Sequence, residues 1–315
     1  MLLQYTLAST ALIAALLPSA AKVTTPTNLR HAARPPAKAV ATIFVSDKDA
    51  STIYLFRAGN APKLLGTITS GISRPLGITV DASGTLYVPN SGNHSVTEYP
   101  AGSTSPSVTI TAGLSLPQFA TVDLAGNLWV SDDASSSGGN GYVLEYPPGA
   151  TTPSQTLTNG ILAPEGLATD AKGNLYVANR VAISGVPDVA IFPPGATTPS
   201  ATFGAGVLSQ PLGIALDKRG NIYVADFITS SGGSQIDVFS AKGSHKLLRS
   251  IQSNPFYLAA GGVAIDRNDR LYVGSGGLSS EYVLQFAHLG KSSPMVFYQS
   301  SDTLFGVAAD PSAQP

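Results

Sequence analysis

Apolar and aromatic residues recur along most of the chain in short runs, separated by glycine, proline, asparagine and aspartate. The clearest run is an apolar-aromatic-apolar triplet that occurs six times, at steps of 43, 42, 47, 47 and 49 residues: 43–45, 86–88, 128–130, 175–177, 222–224 and 271–273. Runs this short, bounded by turn-forming residues, predict β-strands rather than helices. A near-constant period of this length is typical of a repeat protein.

Each repeat contains four predicted strands. Upstream of five triplets lies an apolar pentad that ends in aspartate, at Asp81, Asp123, Asp170, Asp217 and Asp266. A third apolar run follows each triplet, and a weaker fourth run follows that. Four short strands per repeat predict an all-β fold, a six-bladed β-propeller of four-stranded antiparallel blades. An α-solenoid is excluded, because no repeat contains a helical-period stretch of ten residues.

The two ends of the repeat region are offset from each other. No pentad precedes the first triplet, and no triplet follows the last pentad, 306–310. We therefore expect the C-terminal strand to join blade one and close the ring, which removes exposed strand edges.

The repeated aspartate has a structural interpretation. In Asp81, Asp170 and Asp217 it opens a short hairpin loop in which a glycine follows three residues later. A carboxylate at this position accepts amide hydrogen bonds within the turn, and glycine adopts the left-handed conformation. The central residues of the triplets are expected to pack between blades.

Composition narrows the range of functions. Of 315 residues only 12% are charged, and 18 Lys and Arg against 19 Asp and Glu give a net charge of −1. This balance excludes nucleic acid as a partner, since its recognition needs clustered positive charge. The absence of cysteine excludes disulfides and thiolate metal sites.

The N-terminus predicts export. An apolar run at 7–17 precedes Ser19 and Ala21, which fit the small-x-small rule for cleavage before Lys22. The sequence therefore predicts a signal peptide at 1–21, a flexible linker at 22–41 and the propeller at 42–315. The run is too short to span a bilayer. We expect no membrane span in the mature chain, a secreted or periplasmic location and a monomer.

The unit from Gly77 to Val96, GITVDASGTLYVPNSGNHSV, resembles an NHL repeat. The pattern covers all six blades, and the gluconolactonase, paraoxonase and streptogramin-lyase propellers are similar to it. The resemblance implies a six-bladed propeller that is either an enzyme or a binding platform, because this fold hosts both.

The enzyme alternative can be placed on particular residues. The resemblance to gluconolactonase implies a divalent cation at the channel mouth, held by side chains that precede the pentads. The equivalent positions here are Leu76, Gln118, Glu165, Leu212, Gly261 and Phe305. Calcium prefers six to eight oxygen ligands, and these positions supply one carboxylate and one amide. We expect no cofactor. The alternative is one cation of the Ca or Mg type at Glu165, in a metal-dependent lactonase or lyase.

The favoured function is binding. The loops between the second and third strands lengthen in three consecutive blades, at 132–141, 179–188 and 226–235. Insertions on one face of neighbouring repeats commonly build a binding surface. The sequence predicts an exported, non-catalytic scaffold for a protein, peptide or carbohydrate ligand. The candidate residues on this face are Gln118, Trp129, Asp132, Asp133, Glu165, Arg180, Asp226 and Phe227.

Overall fold

The computed structural model describes residues 42–59, 62–134, 140–181, 185–228, 233–252, 259–276, 281–300 and 303–310. The predicted signal peptide and linker lie outside these ranges. No helix within them is long and apolar enough to cross a membrane. The described residues form six antiparallel sheets of four strands each, which confirms the predicted six-bladed propeller.

The strands follow the repeats along the chain. Blade one contains β1 (Thr42–Asp47), β2 (Thr52–Arg57) and β3 (Lys63–Ile68). Blade two contains β4 (Thr79–Val80), β5 (Leu86–Asn90), β6 (Ser95–Tyr99) and β7 (Val108–Ile110). Blade three contains β8 (Pro117–Val122), β9 (Leu128–Asp132), β10 (Tyr142–Tyr146) and β11 (Gln155–Leu157).

The remaining blades have the same order. Blade four contains β12 (Pro164–Thr169), β13 (Leu175–Asn179), β14 (Asp188–Phe192) and β15 (Ala201–Phe203). Blade five contains β16 (Pro211–Leu216), β17 (Ile222–Ile228), β18 (Gly233–Phe239) and β19 (Leu247–Ile251). Blade six contains β20 (Ala259–Ile265), β21 (Leu271–Gly276), β22 (Glu281–Phe286) and β23 (Met295–Ser300), with a 3-10 turn at Ala287–Gly290. The last strand is β24 (Leu304–Ala309).

The ring closes through β24, as the offset of the repeats predicts. This strand pairs antiparallel with β1, with Phe44 opposite Ala308 and Val45 opposite Val307. The Asp310 N–H donates to the carbonyl of Thr42 at 2.9 Å. Blade one therefore takes its inner strand, the one that faces the central channel, from the end of the repeat region.

In blades two to six the aspartate of the pentad holds the hairpin between the first two strands of its blade. In blade four, Asp170 Oδ1 accepts the N–H groups of Lys172 at 2.8 Å and Asn174 at 2.9 Å. Its Oδ2 accepts from the Asn174 side chain at 2.8 Å and from the Tyr176 hydroxyl at 3.2 Å. The structural interpretation of this aspartate is confirmed, and the triplet aromatic adds a hydrogen bond to its packing role.

The apolar core lies between neighbouring blades. One cluster joins Trp129 and Leu157 of blade three to Leu167 and Val177 of blade four, all of them buried. Tyr146 is 1% exposed, and its hydroxyl donates to the carbonyl of Ala112 in the preceding blade at 2.7 Å. Burial of these large side chains, at about 25 cal/mol per Å² of apolar surface, holds the ring together.

The inner strands approach each other closely around the channel. A β-bulge interrupts their pairing at equivalent points, for example between Pro164 and Leu167 in β12. A Cβ added at Gly166, within this bulge, would lie 2.2 Å from the carbonyl oxygen of Leu212 on the next blade. Only glycine fits such an approach, which explains why the pentads begin with glycine in five repeats.

Candidate ligand site at the channel mouth

A cavity of about 440 Å³ opens at one end of the channel, and we call it the mouth cavity. Its apolar walls are Leu76, Leu116, Leu212, Phe227 and Phe305. Its neutral polar residues are Ser91, Gln118 and Gln210, and its charged residues are Lys48, Arg74, Glu165 and Arg180. A mostly apolar hollow with a few convergent polar groups is the usual form of a small-molecule site.

The β-bulges explain why the side chains point into this cavity. A bulge bends its strand and re-aims a side chain, and Glu165 lies within the bulge of β12. Five of the six positions that precede the pentads line the cavity: Leu76, Gln118, Glu165, Leu212 and Phe305. The repeat pattern alone therefore located most of the inner wall of the cavity.

Glu165 is the buried acid of the mouth cavity. It is 3% exposed, and its Oε1 lies 3.4 Å from Nη1 of Arg180. Within the described residues its Oε2 accepts no hydrogen bond. Burial raises the pKa of Glu165 to about 7, with the Arg180 guanidinium opposing the rise and Asp133 adding to it. The backbone carbonyl of Glu165 accepts from Ser131 Oγ at 2.6 Å, which fixes it against blade three.

Arg180 links two blades at the rim of the cavity. Its Nη2 lies 3.1 Å from Oδ2 of Asp133 in blade three, and its Nη1 faces Glu165 in blade four. Its side chain is 35% exposed, so the guanidinium reaches both the cavity and solvent. Three of the predicted residues, Asp133, Glu165 and Arg180, thus form one charged cluster.

Lys48 and Arg74 also line the mouth cavity, and the sequence analysis missed both. Lys48 follows β1, and its N–H donates to the carbonyl of Thr303 at 2.8 Å. Arg74 lies in the loop before β4, with a positive φ of 49°. Neither side chain forms a salt bridge with another described residue. The loops around the inner strands therefore bring two cations to the mouth cavity.

Asp132 and Asp226 hold loops instead of facing the cavity. Both are 0% exposed. Asp132 accepts the N–H groups of Ser115 at 2.8 Å and Leu116 at 2.9 Å. Asp226 accepts from Ser209 at 2.9 Å and from the next residue at 2.7 Å. Burial raises the pKa of Asp226 to about 6, although these N–H groups lower it. Each carboxylate therefore positions the loop that leads into the inner strand of its own blade.

The structure does not bring Trp129 to the mouth. Its Nε1 donates to Asp123 Oδ2 at 3.1 Å, at the hairpin that lies at the other end of the blade. There it lines a separate groove of about 320 Å³ between blades three and four, with Phe192 and Pro194. Trp129 is the second residue of β9, whereas Asp132 at the mouth is the last, so the length of the strand separates them.

The insertion in blade five lengthens a hairpin. Strands β17 and β18 continue their pairing to Phe227 with Ser234 and Ile228 with Gly233. This extension carries Phe227 to the wall of the mouth cavity. The tips of the three long loops, 135–139, 182–184 and 229–232, lie outside the described residues.

Two aromatic rings meet inside the channel below the mouth cavity. The ring centroids of Phe119 and Phe305 are 5.6 Å apart. A Cβ added at Gly77 would lie 1.9 Å from the Phe119 ring, so this glycine makes room for it. A second cavity of about 210 Å³ lies beyond, lined by Phe119 and by inner-strand residues such as Ile78 and Leu167. The ring pair therefore lies between the two cavities, with Phe305 lining the mouth cavity and Phe119 lining the second one.

The described residues contain no group of three or more His, Asp or Glu side chains arranged to hold a metal ion. The mouth cavity offers a ligand one buried carboxyl group, three cationic side chains and an apolar wall. Such an arrangement can bind a small molecule that offers both charge and apolar surface.

No family model matches this sequence, and no curated protein matches it. Solved structures do resemble it. A protein of unknown function from Bacteroides caccae aligns with a TM-score of 0.64 and 13% identity over 86% of this chain and 99% of that one. The hydrazine synthase of Kuenenia stuttgartiensis aligns with a TM-score of 0.60 and 15% identity over 86% and 87% of the two chains.

A functionally unknown protein from Desulfotomaculum acetoxidans gives a TM-score of 0.57 at 14% identity, over 86% of this chain and 99% of that one. At these identities the likeness shows the fold alone. The six-bladed propeller is confirmed, while membership of the NHL family and the relation to gluconolactonase-like propellers stay predictions.

Proposed function

We propose that this chain is an exported, non-catalytic binding module that holds its ligand at the channel mouth. The observation that carries the proposal is the mouth cavity itself, which gathers side chains from several blades around a buried carboxyl. Ligand sites are usually pre-formed clefts of this size, with apolar walls and a few placed polar groups.

The proposal includes export because the sequence at 1–21 has the pattern of a signal peptide. The expected mature protein begins at Lys22, and mass spectrometry of the protein secreted by its own cells would show this N-terminus. Recovery of the intact Met1 form from the cytoplasm would contradict it.

The experiment on binding uses the neutral apolar dye N-phenyl-1-naphthylamine, whose fluorescence rises in apolar surroundings. We expect one saturable site in the wild-type protein. Leu212→Trp should abolish binding because it fills the cavity, whereas Leu248→Trp is the matched control on the exposed side of β19. Equal dye binding by both variants would show that the mouth is not the binding site.

A metal-dependent lactonase or lyase centred on Glu165 is the second candidate. One observation favours it: the Oε2 atom of Glu165 has no hydrogen-bond donor among the described residues. Calcium or magnesium at 100 times its dissociation constant would add about 2.7 kcal/mol of stability. A rise in melting temperature with either cation, absent in Glu165→Gln, would favour the enzyme and justify a panel of lactones. No rise would leave the binding module as the better proposal.

A further inference from the structure

The charges of the mouth cavity are separated across the ring. Lys48 belongs to blade one and Arg74 to blade two, whereas Glu165 belongs to blade four. In a ring of six blades, blades one and four face each other across the channel. One side of the cavity, the cationic side, therefore carries Lys48 and Arg74, and the opposite side carries Glu165 with its partner Arg180. Apolar side chains lie between the two sides.

The two sides differ in what they require from a ligand. Lys48 and Arg74 form no salt bridge with another described residue, so they can pair with an anion. Glu165 is buried, and its Oε2 accepts no hydrogen bond from the described residues. An unpartnered buried carboxylate oxygen is costly and is satisfied by a hydrogen-bond donor.

The apolar surfaces limit the rest of the ligand. Leu76 precedes the inner strand of blade two, Phe305 lies on the inner strand of blade one, and Leu212 lies on that of blade five. The Phe305 ring also contacts the ring of Phe119, which lines the second cavity. A ligand that spans from the cationic side to Glu165 must therefore place apolar groups against these side chains.

We propose, on the basis of the mouth cavity as the binding site, that its ligand is a short apolar peptide of two or three residues with both ends free. The C-terminal carboxylate lies between Lys48 and Arg74, and the N-terminal ammonium donates to Glu165. The apolar side chains of the peptide contact Leu76, Leu212 and Phe305.

The size of the cavity fits this ligand. A sphere of 440 Å³ would be about 9 Å across, and an extended chain of two or three residues spans about 7 to 10 Å. A free amino acid carries its ammonium and carboxylate groups on the same α-carbon, so it cannot reach both sides at once. A longer peptide would have to leave the cavity through the rim.

The electrostatics of Glu165 agree with this role. Burial raises its pKa to about 7, and the attraction of a bound ammonium would lower that pKa and keep the carboxyl ionised. Arg180 and, less strongly, Lys48 lower the pKa of Glu165 but leave it raised, and the Arg180 guanidinium is shared with Asp133.

The experiment is calorimetric titration at pH 7.5 with the dipeptide Leu-Leu, its N-acetyl form, its C-terminal amide and free leucine. We expect Leu-Leu to bind, and each blocked form and free leucine to bind at least tenfold more weakly. In Glu165→Gln the N-acetyl form should bind no more weakly than Leu-Leu itself, because the partner of the ammonium is gone. In the Lys48→Met/Arg74→Met protein the C-terminal amide should instead bind no more weakly than Leu-Leu, because the partners of the carboxylate are gone.

The outcomes distinguish an error in the proposed ligand from an error in the proposed binding site. If Leu-Leu and its blocked forms bind equally, or none binds while N-phenyl-1-naphthylamine still does, the free-ended peptide is wrong and the mouth remains a binding site. If neither dye nor peptide binds, the proposed function itself fails. Because the blocked peptides are compared on the unaltered protein, the result does not depend on the variants folding.

Discussion

Glu165 combines two properties that rarely occur together at one carboxyl, near-complete burial and an incomplete set of partners. The bulge in β12 forces it inward, and the neighbouring glycine packs so closely on blade five that the backbone cannot turn it away. Arg180 compensates for part of its charge and Asp133 competes for the same guanidinium. The side chain is therefore held in place by the fold at a cost in stability when ionised.

This cost predicts the pH dependence of stability. The pKa of Glu165 is about 7 in the folded protein, against 4.5 for a free glutamate side chain. Between these values the folded protein retains a proton that the unfolded chain has released. Its contribution to stability is complete below pH 4.5 and is lost as the pH rises through 7, by up to about 3 kcal/mol.

Glu165→Gln removes this loss. Urea unfolding should give similar free energies for variant and wild type at pH 4.5, and a more stable variant at pH 8. The raised pKa of Asp226 acts equally in both proteins and cancels from the difference. Glu145→Gln, the same substitution on β10, is the control. A difference that does not grow between pH 4.5 and 8 would show that Glu165 titrates normally.

At the scale of the element, blades two to six each contain one carboxylate that holds the first hairpin. In blades two to six this aspartate bonds the N–H groups two and four residues further on, as Asp123 does with Ala125 and Asn127. In blades two, three, four and six it also accepts from the aromatic residue six positions on, such as Trp129. The turn and the blade core are thus joined by a single side chain.

Asp170→Ala tests this arrangement. The substitution removes four hydrogen bonds to one carboxylate and should cost about 2 to 3 kcal/mol in the free energy of unfolding. Tyr176→Phe removes only the 3.2 Å bond and should cost about 1 kcal/mol or less. Urea unfolding measures both. Equal losses in the two variants would mean that the bond from the Tyr176 hydroxyl accounts for the whole effect, and that the bonds from Lys172 and Asn174 do not stabilise the hairpin.

The strands were predictable because their pattern is local, with every blade repeating the same apolar runs and the same turn residues. The bond from Trp129 to Asp123 was not predicted, because the triplet aromatics were assigned to packing and Trp129 also to the binding face. Lys48 and Arg74 were missed for a different reason. They come from loops outside the inner strands, and only the closed ring brings these loops to one cavity.

At the scale of the whole molecule, the ring depends on a pairing between its two ends. Strand β24 contributes Leu304 and Val307 to the core cluster that joins blades six and one. Both are nearly inaccessible to solvent. The strand therefore fills the inner edge of blade one and also covers the adjoining face of blade six.

Deletion of residues 304–315 should open the ring. The loss of two large buried side chains and of the pairing with β1 should cost about 4 to 6 kcal/mol, or about 10 °C in melting temperature. Deletion of only 311–315 is the control and should leave the melting temperature unchanged. If the longer deletion melts like the intact protein, closure through β24 does not stabilise the ring.

Closure by the last strand also fixes the order in which the molecule can be completed during synthesis. Strands β1, β2 and β3 leave the ribosome first, but β1 finds its inner neighbour only when residues 304–309 have been made. Until then it presents a row of unpaired backbone groups, the kind of edge that invites pairing with other chains. Contacts so distant in sequence form slowly. The earliest part of the propeller to be translated is thus the last to become native.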